Sequence, residues 1–88
     1  MTFAFSGTLL RFADYRREVA IVAPTLGEAL AALAKQMPTL QPVLFDAKGS
    51  LRAVHRLFLN GEQLLALEPS RALSADDRVE VLTAIAGG

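Results

Sequence analysis

Two prolines, Pro24 and Pro38, bracket the one stretch of this chain that is patterned for a long helix. After Pro24 comes Thr25-Leu26-Gly27-Glu28, a capping box. In it the Thr hydroxyl accepts from the Glu28 amide and the Glu carboxylate returns to the Thr25 amide. Leu26, Ala29, Leu30, Leu33, Ala34 and Met37 then recur at three- and four-residue spacing, until Pro38, which has no N–H, stops the helix. A narrow Leu/Ala stripe of this kind lies on a sheet. A chain of 88 residues with one such helix has to draw the rest of its core from strands, in a single small domain.

Alternation supplies those strands. Thr2 to Phe5 puts Phe3 and Phe5 on one side, and Thr8 to Phe12 is expected to continue as strand past Gly7. Ala13-Asp14-Tyr15-Arg16 reads as a polar connection and Glu18 to Val22 as the returning strand, with Val19 and Ile21 on one face. Thr39 to Leu51 is the least regular part. Val54 to Leu59 places His55, Leu57 and Leu59 on one face and Val54, Arg56 and Phe58 on the other. Asn60-Gly61 is the strongest hairpin signal in the chain, and Gln63 to Leu65 is expected to return as a short edge strand. Pro69 to Leu73 is expected to form a turn of irregular helix, and Asp76-Asp77 a polar turn. Val79 to Ile85 reads as the last strand, with Val79 and Val81 facing in and Glu80 and Leu82 facing out. This order predicts an α+β fold, a β-grasp: a mixed sheet of four or five strands with one main helix on one face. The domain is expected to span residues 1–83, followed by a flexible tail at 84–88.

Composition narrows the functions. Hydrophobic residues make up 52% of the chain, but 30 of them are Ala or Leu, enough for one compact core of modest margin. With no cysteine there is no disulfide frame, zinc-thiolate cluster or cysteine nucleophile, and the lone His55 excludes a two-histidine metal site. No metal site is expected. Nine basic residues balance nine acidic ones, so no global field draws nucleic acid or an anionic membrane. No segment approaches the roughly 20 apolar residues that span a bilayer. Met1 to Gly7 lacks the positive charge of a signal peptide, and a cytoplasmic location is expected.

The informative segment is Val81-Leu82-Thr83-Ala84-Ile85-Ala86-Gly87-Gly88, which carries no charged side chain. A disordered tail is normally polar, and two glycines add nothing to a core. One reading is a frayed end. The other is a carboxylate on a thin arm, about 16 Å long when extended at roughly 3.3 Å per residue. Gly87 and Gly88, without Cβ atoms, pass a channel too narrow for other residues, with Ala86 and Ile85 behind them. A carboxylate is a poor electrophile, so its use requires activation, for which an ATP-derived acyl adenylate is the usual device. Elsewhere the bland readings lead. His55 shares a face with Leu57 and Leu59 and reads as packed, and adjacent Asp76 and Asp77 point apart in a solvated turn. Arg11, Arg16, Arg17, Arg52 and Arg56 read as a scattered solvated face, with docking to an acidic cleft as the minority alternative. Phe58 and Leu82 fall on the face opposite the helix and form a recognition patch if they adjoin.

These segments together resemble the ubiquitin-like sulfur carrier proteins. That family holds the small subunit of molybdopterin synthase, the thiamine sulfur carrier and the cysteine-biosynthesis carrier. The resemblance rests on Thr8-Leu9-Leu10-Arg11-Phe12, on Thr25-Leu26-Gly27-Glu28 and on Leu57-Phe58-Leu59-Asn60-Gly61-Glu62. It rests further on Leu73 to Val81, similar to the family's L-x-x-G-D-x-V, and on Ala86-Gly87-Gly88. Lys48-Gly49-Ser50-Leu51-Arg52 is most similar to the cysteine and thiosugar carriers of the actinobacterial type. Two positions depart from the pattern: the family commonly has Gly where Asp76 stands and Pro where Thr83 stands.

The resemblance implies a protein cosubstrate, not an enzyme, with no bound cofactor. An E1-like adenylating enzyme of the ThiF/MoeB type would use ATP and Mg to adenylate Gly88. A sulfur donor or sulfurtransferase would then give the Gly88 thiocarboxylate, and an acceptor synthase would take the sulfur. Phe58, Leu82 and Arg56 would meet the partner. A ubiquitin-like modifier joined to lysines through Gly88, a molybdopterin synthase subunit and a plain interaction module stay open beside it.

Overall fold

In the computed structural model, which describes residues 1–83, the last strand lies inside the sheet and not at its edge. Strands β1 (Thr2–Phe5), β2 (Glu18–Ala20), β3 (His55–Leu59), β4 (Glu62–Gln63) and β5 (Arg78–Thr83) form one sheet in the order β2-β1-β5-β3-β4. β1 pairs antiparallel with β2 and parallel with β5, and β3 is antiparallel to both β5 and β4. Parallel neighbours need a crossover, and helix α2 (Leu26–Gln36) provides it across one face. This is the expected α+β mixed sheet with its principal helix, a ubiquitin-like β-grasp. Residues Ile85, Ala86, Gly87 and Gly88, assigned above to the tail, lie outside the described residues.

The period-two pattern decides which face of each strand is buried. Phe3, Phe5, Val19, Leu57, Leu59, Val79 and Val81 face α2 and are buried together with Leu26, Ala29 and Leu33 from the helix and Met37 at its C-cap. The helical stripe is narrower than its spacing suggested. Leu30 and Ala34 are half-buried at its flank, where Leu30 lines a hollow with Phe45, Leu51 and Leu67.

The Thr25 hydroxyl accepts from the Glu28 amide at 3.3 Å, the first half of the expected capping box, but the Glu28 carboxylate takes its bond from the Thr25 hydroxyl at 3.2 Å and not from the Thr25 amide. The other first-turn amides go elsewhere. Leu26 N–H donates to the Arg71 carbonyl and Gly27 N–H to the Pro69 carbonyl, both at 2.9 Å. The segment expected as irregular helix at Pro69 to Leu73 begins with a single turn at Pro69-Ser70, closed by Arg71 N–H donating to the Glu68 carbonyl at 3.0 Å, and runs on to a bridge between Ala72 and Thr25. The Pro69 and Arg71 carbonyls serve the orphan donors of α2, so the turn does not continue as helix. The approach is close enough that a Cβ on Gly27 would sit 2.9 Å from the Pro69 Cβ.

Two other expectations are corrected. Thr8 to Phe12 is not strand: after Gly7 at φ +61°, Leu9–Phe12 forms one turn of helix, α1, with Leu9 and Ala13 buried four residues apart. A short apolar run satisfies either period, and the positive-φ residue decides between them. Within the irregular region, Gln41–Leu44 forms a second single turn, α3, opened by Pro42. At the β3–β4 turn Asn60 and Gly61 both take positive φ, the primed hairpin geometry expected for Asn-Gly. The return strand is Glu62–Gln63, earlier and shorter than expected.

The Asn60 side chain also ties this hairpin to β5. Its Oδ1 accepts from Arg78 N–H at 2.9 Å and its Nδ2 donates to Asp77 Oδ1 at 3.0 Å. Asp77 Oδ2 accepts from the Ser74 amide at 2.7 Å. Asp76 stays out of the left-handed region, so the turn does not need the family's glycine there.

Two outcomes are expected. Leu33→Ala, at a position with no exposed surface, lowers stability by about 2–5 kcal/mol, whereas Leu30→Ala costs about 1 kcal/mol. Urea midpoints at unchanged slope measure both, and equal losses would contradict the difference in burial. Asp77 is held below its ordinary 3.8, first by the Ser74 amide and then by Asn60. Its contribution is therefore present above that pH and lost as acid carries the pH down through the lowered value. Asp77→Asn should lower the melting temperature at neutral pH, with the gap from wild type closing in strong acid. A gap independent of pH would show that the carboxylate charge is not involved.

Candidate functional site

The sheet face away from α2 is the open side of the molecule. Register sets its neighbours: Leu82 stands directly opposite Arg56, and Phe58 opposite Glu80. Phe58 and Leu82 are thus diagonal neighbours on one face, within reach of large side chains. Leu82 is 37% exposed and Phe58 is half-buried. The third expected contact residue is turned aside. Arg56 Nη1 donates to the carbonyls of Ala53 and His55, which keeps the guanidinium on its own strand and loop.

On the other side of Leu82 the face sinks into a hollow of about 520 Å³, lined by Ala4, Ser6, Arg17, Glu18, Arg78, Glu80 and Leu82. Ala4 is its floor, because a methyl group on β1 stands between the longer side chains of β2 and β5. Arg78 and Glu18 form an ion pair across the rim, and the hydrogen bond to Glu18 raises the Arg78 pKa further. Both side chains are about half exposed, so the pair fixes rotamers more than it stabilises the fold. The sequence reading placed Arg17 only in a scattered basic face and missed Glu18 and Arg78 as its neighbours. The alternation of β5 already set Arg78 on the face of Glu80 and Leu82, but pairing of β2 with β1 is a tertiary fact.

Arg17 and Arg56 therefore lie on either side of Leu82, the last outward-facing residue among those described. Leu82 is where the open face and the hollow meet. Gly88, Gly87, Ala86 and Ile85 lie outside the described residues, so their expected roles rest on sequence. His55 is buried at 5% exposure, as its alternation suggested. Among the described residues no group of three His, Cys, Asp or Glu side chains comes together, and no helix is long and apolar enough to cross a membrane.

A central last strand beside β1, one crossing helix and an open outer face define a small ubiquitin-like protein. The chain belongs to the ThiS family, whose sequence model matches residues 7–88. No curated protein matches it. Among solved structures it is similar to SAMP1 of Haloferax volcanii, at 26% identity and a TM-score of 0.86, covering 100% of this chain and 98% of that one. CysO of Mycobacterium tuberculosis superposes with a TM-score of 0.79 at 21% identity, over 96% of this chain and 98% of that one. The CysO/BexX complex of Amycolatopsis orientalis gives 0.81 at 17% identity, over 99% and 98%. The family is that of the ubiquitin-like sulfur carriers and modifiers.

Leu82→Glu should leave the denaturation midpoint within about 0.5 kcal/mol of wild type, since the side chain is already exposed and faces Arg56. A loss of several kcal/mol in urea titration would assign Leu82 to the core.

Proposed function

We propose that this protein is a sulfur carrier, a cosubstrate and not an enzyme, with residues 1–83 as the docking domain and 84–88 as the reactive tail. The observation that carries the reading is the match to the ThiS family, which extends through Gly87-Gly88. An E1-like enzyme, using ATP and Mg, joins the Gly88 carboxylate to AMP and releases pyrophosphate. Sulfide sulfur then attacks the acyl carbon, AMP leaves with one carboxylate oxygen, and the thiocarboxylate remains. An acceptor synthase takes that sulfur. No cofactor is bound by the carrier, and the ATP-dependent step suits the cytoplasm.

Docking uses the outer face, with Leu82 as the apolar contact, Phe58 beside it and Arg56 at the margin. The complex of CysO with BexX supports a protein partner for a domain of this shape. Gly87 supplies clearance in the activating enzyme's channel, with Ala86 and Ile85 following it. A modifier reading is favoured separately by the similarity to the small archaeal modifier protein SAMP1 at 26% identity. It needs the same activated Gly88.

Incubation with an E1-like enzyme, ATP and sulfide should raise the intact mass by about 16 Da, the replacement of oxygen by sulfur. Deleting Gly88 should abolish the shift with the fold intact, and Gly87→Val should block it through its branched Cβ. A shift that survives loss of Gly88 would place the sulfur elsewhere and end the carrier reading. Lysine-linked conjugates without any thiocarboxylate would select the modifier.

A further inference from the structure

His55 is the one polar side chain among the described residues that is buried, and the carrier reading leaves it without a role. It opens β3 directly opposite Thr83, the last described residue of β5. Its Nδ1 lies 3.1 Å from Thr83 Oγ1 and its Nε2 lies 2.8 Å from the Val43 carbonyl oxygen. A carbonyl oxygen only accepts, so Nε2 carries the hydrogen and donates. In the neutral ring Nδ1 is then the acceptor, and the Thr83 hydroxyl donates to it. Val43 belongs to α3, a single helical turn whose last carbonyls have no partner within the helix. One imidazole thus joins three pieces of chain: β3, which carries it, α3, and the end of β5.

We propose that His55 is a positioning residue that fixes, through Thr83, the point and direction in which the chain leaves the sheet. The His55–Thr83 pair is the last of the β3·β5 register among the described residues, at the end of β3, where ladder pairing alone is weakest. A β-branched side chain is stiff at χ1, so holding Thr83 Oγ1 also holds its Cα. Sulfur carriers commonly have proline at this position, and a proline ring restrains the backbone through φ. Here the restraint comes from a side-chain hydrogen bond. The consequence for reactivity rests on the carrier reading: Gly88 must reach an adenylation site through a channel, and a root displaced by about 1 Å costs heavily in rate.

The test has one arm that needs no partner. In the free protein, the heteronuclear NOE of the Thr83 amide should equal that of Val81 in mid-strand, and long-range imidazole correlations should show hydrogen on Nε2. Thr83→Val keeps the branched shape and removes the hydroxyl. It should lower the NOE at residue 83 while leaving Val81 unchanged, and Thr83→Ser should restore it. His55→Leu should give the same local loss if it folds. An unchanged NOE in Thr83→Val, whatever the melting temperature does, overturns the proposal, as does a ring with its hydrogen on Nδ1. In the second arm, with an E1-like enzyme, ATP and sulfide, Thr83→Val should lower kcat/KM for thiocarboxylate formation about tenfold and Thr83→Ser should stay near wild type. If wild type forms no thiocarboxylate the carrier reading fails, while the NMR arm still decides the positioning role. If Thr83→Val reacts as fast as wild type, His55 does not position the tail for reaction.

Discussion

The parallel pairing of β1 with β5 is the constraint on which the rest of the structure depends. Phe3 pairs with Val79 and Phe5 with Val81, so the two ends of the domain lie side by side in the centre of the sheet. Two parallel neighbours cannot be joined by a tight turn. Everything between them has to return across one face, and α2 is the only long helix among the described residues to do so. Closing so long a loop costs little more than closing one of half the length. What secures it is apolar burial: Val79 and Val81 are flanked by strands on both sides and covered by the helix.

That pairing also decides what meets at the C-terminal end of β5. Because β5 runs parallel to β1, its C-terminal end lies beside the connection that leaves β1 and beside the start of β3. Leu82 and Thr83 occupy this junction on opposite faces. The outward residue, Leu82, is exposed between Arg17 and Arg56. The inward one, Thr83, is held by His55. The exposed apolar residue and the one bonded to His55 are thus consecutive and point opposite ways, as the pleat requires.

The opposite end of β5 is held by polar contacts. Asn60, Ser74 and Asp77 join the β3–β4 turn to the first residue of β5, while the loop at Pro69 to Leu73 satisfies the amides of α2. A loop that caps a helix has little freedom to shift, and Gly27 keeps it close. The register of β5 is therefore determined at both ends.

Element types were legible in the sequence wherever a period had room to repeat. The helix between Pro24 and Pro38, the inward faces of β3 and β5, and the Asn60-Gly61 turn all follow from local spacing and local backbone chemistry. The burial of His55 and the exposure of Leu82 follow from the same alternation. The short runs did not resolve, because the four residues Leu9 to Phe12, three of them apolar, fit a helical turn as well as a strand. The Pro69 to Leu73 loop took its shape from orphan amides on α2, more than forty residues earlier in the chain. Strand order, the hollow beside Ala4, the turning aside of Arg56 and the bond from His55 to Thr83 belong to the tertiary structure alone. Each depends on which strands become neighbours, and pairing is a relation between distant segments that no local period encodes.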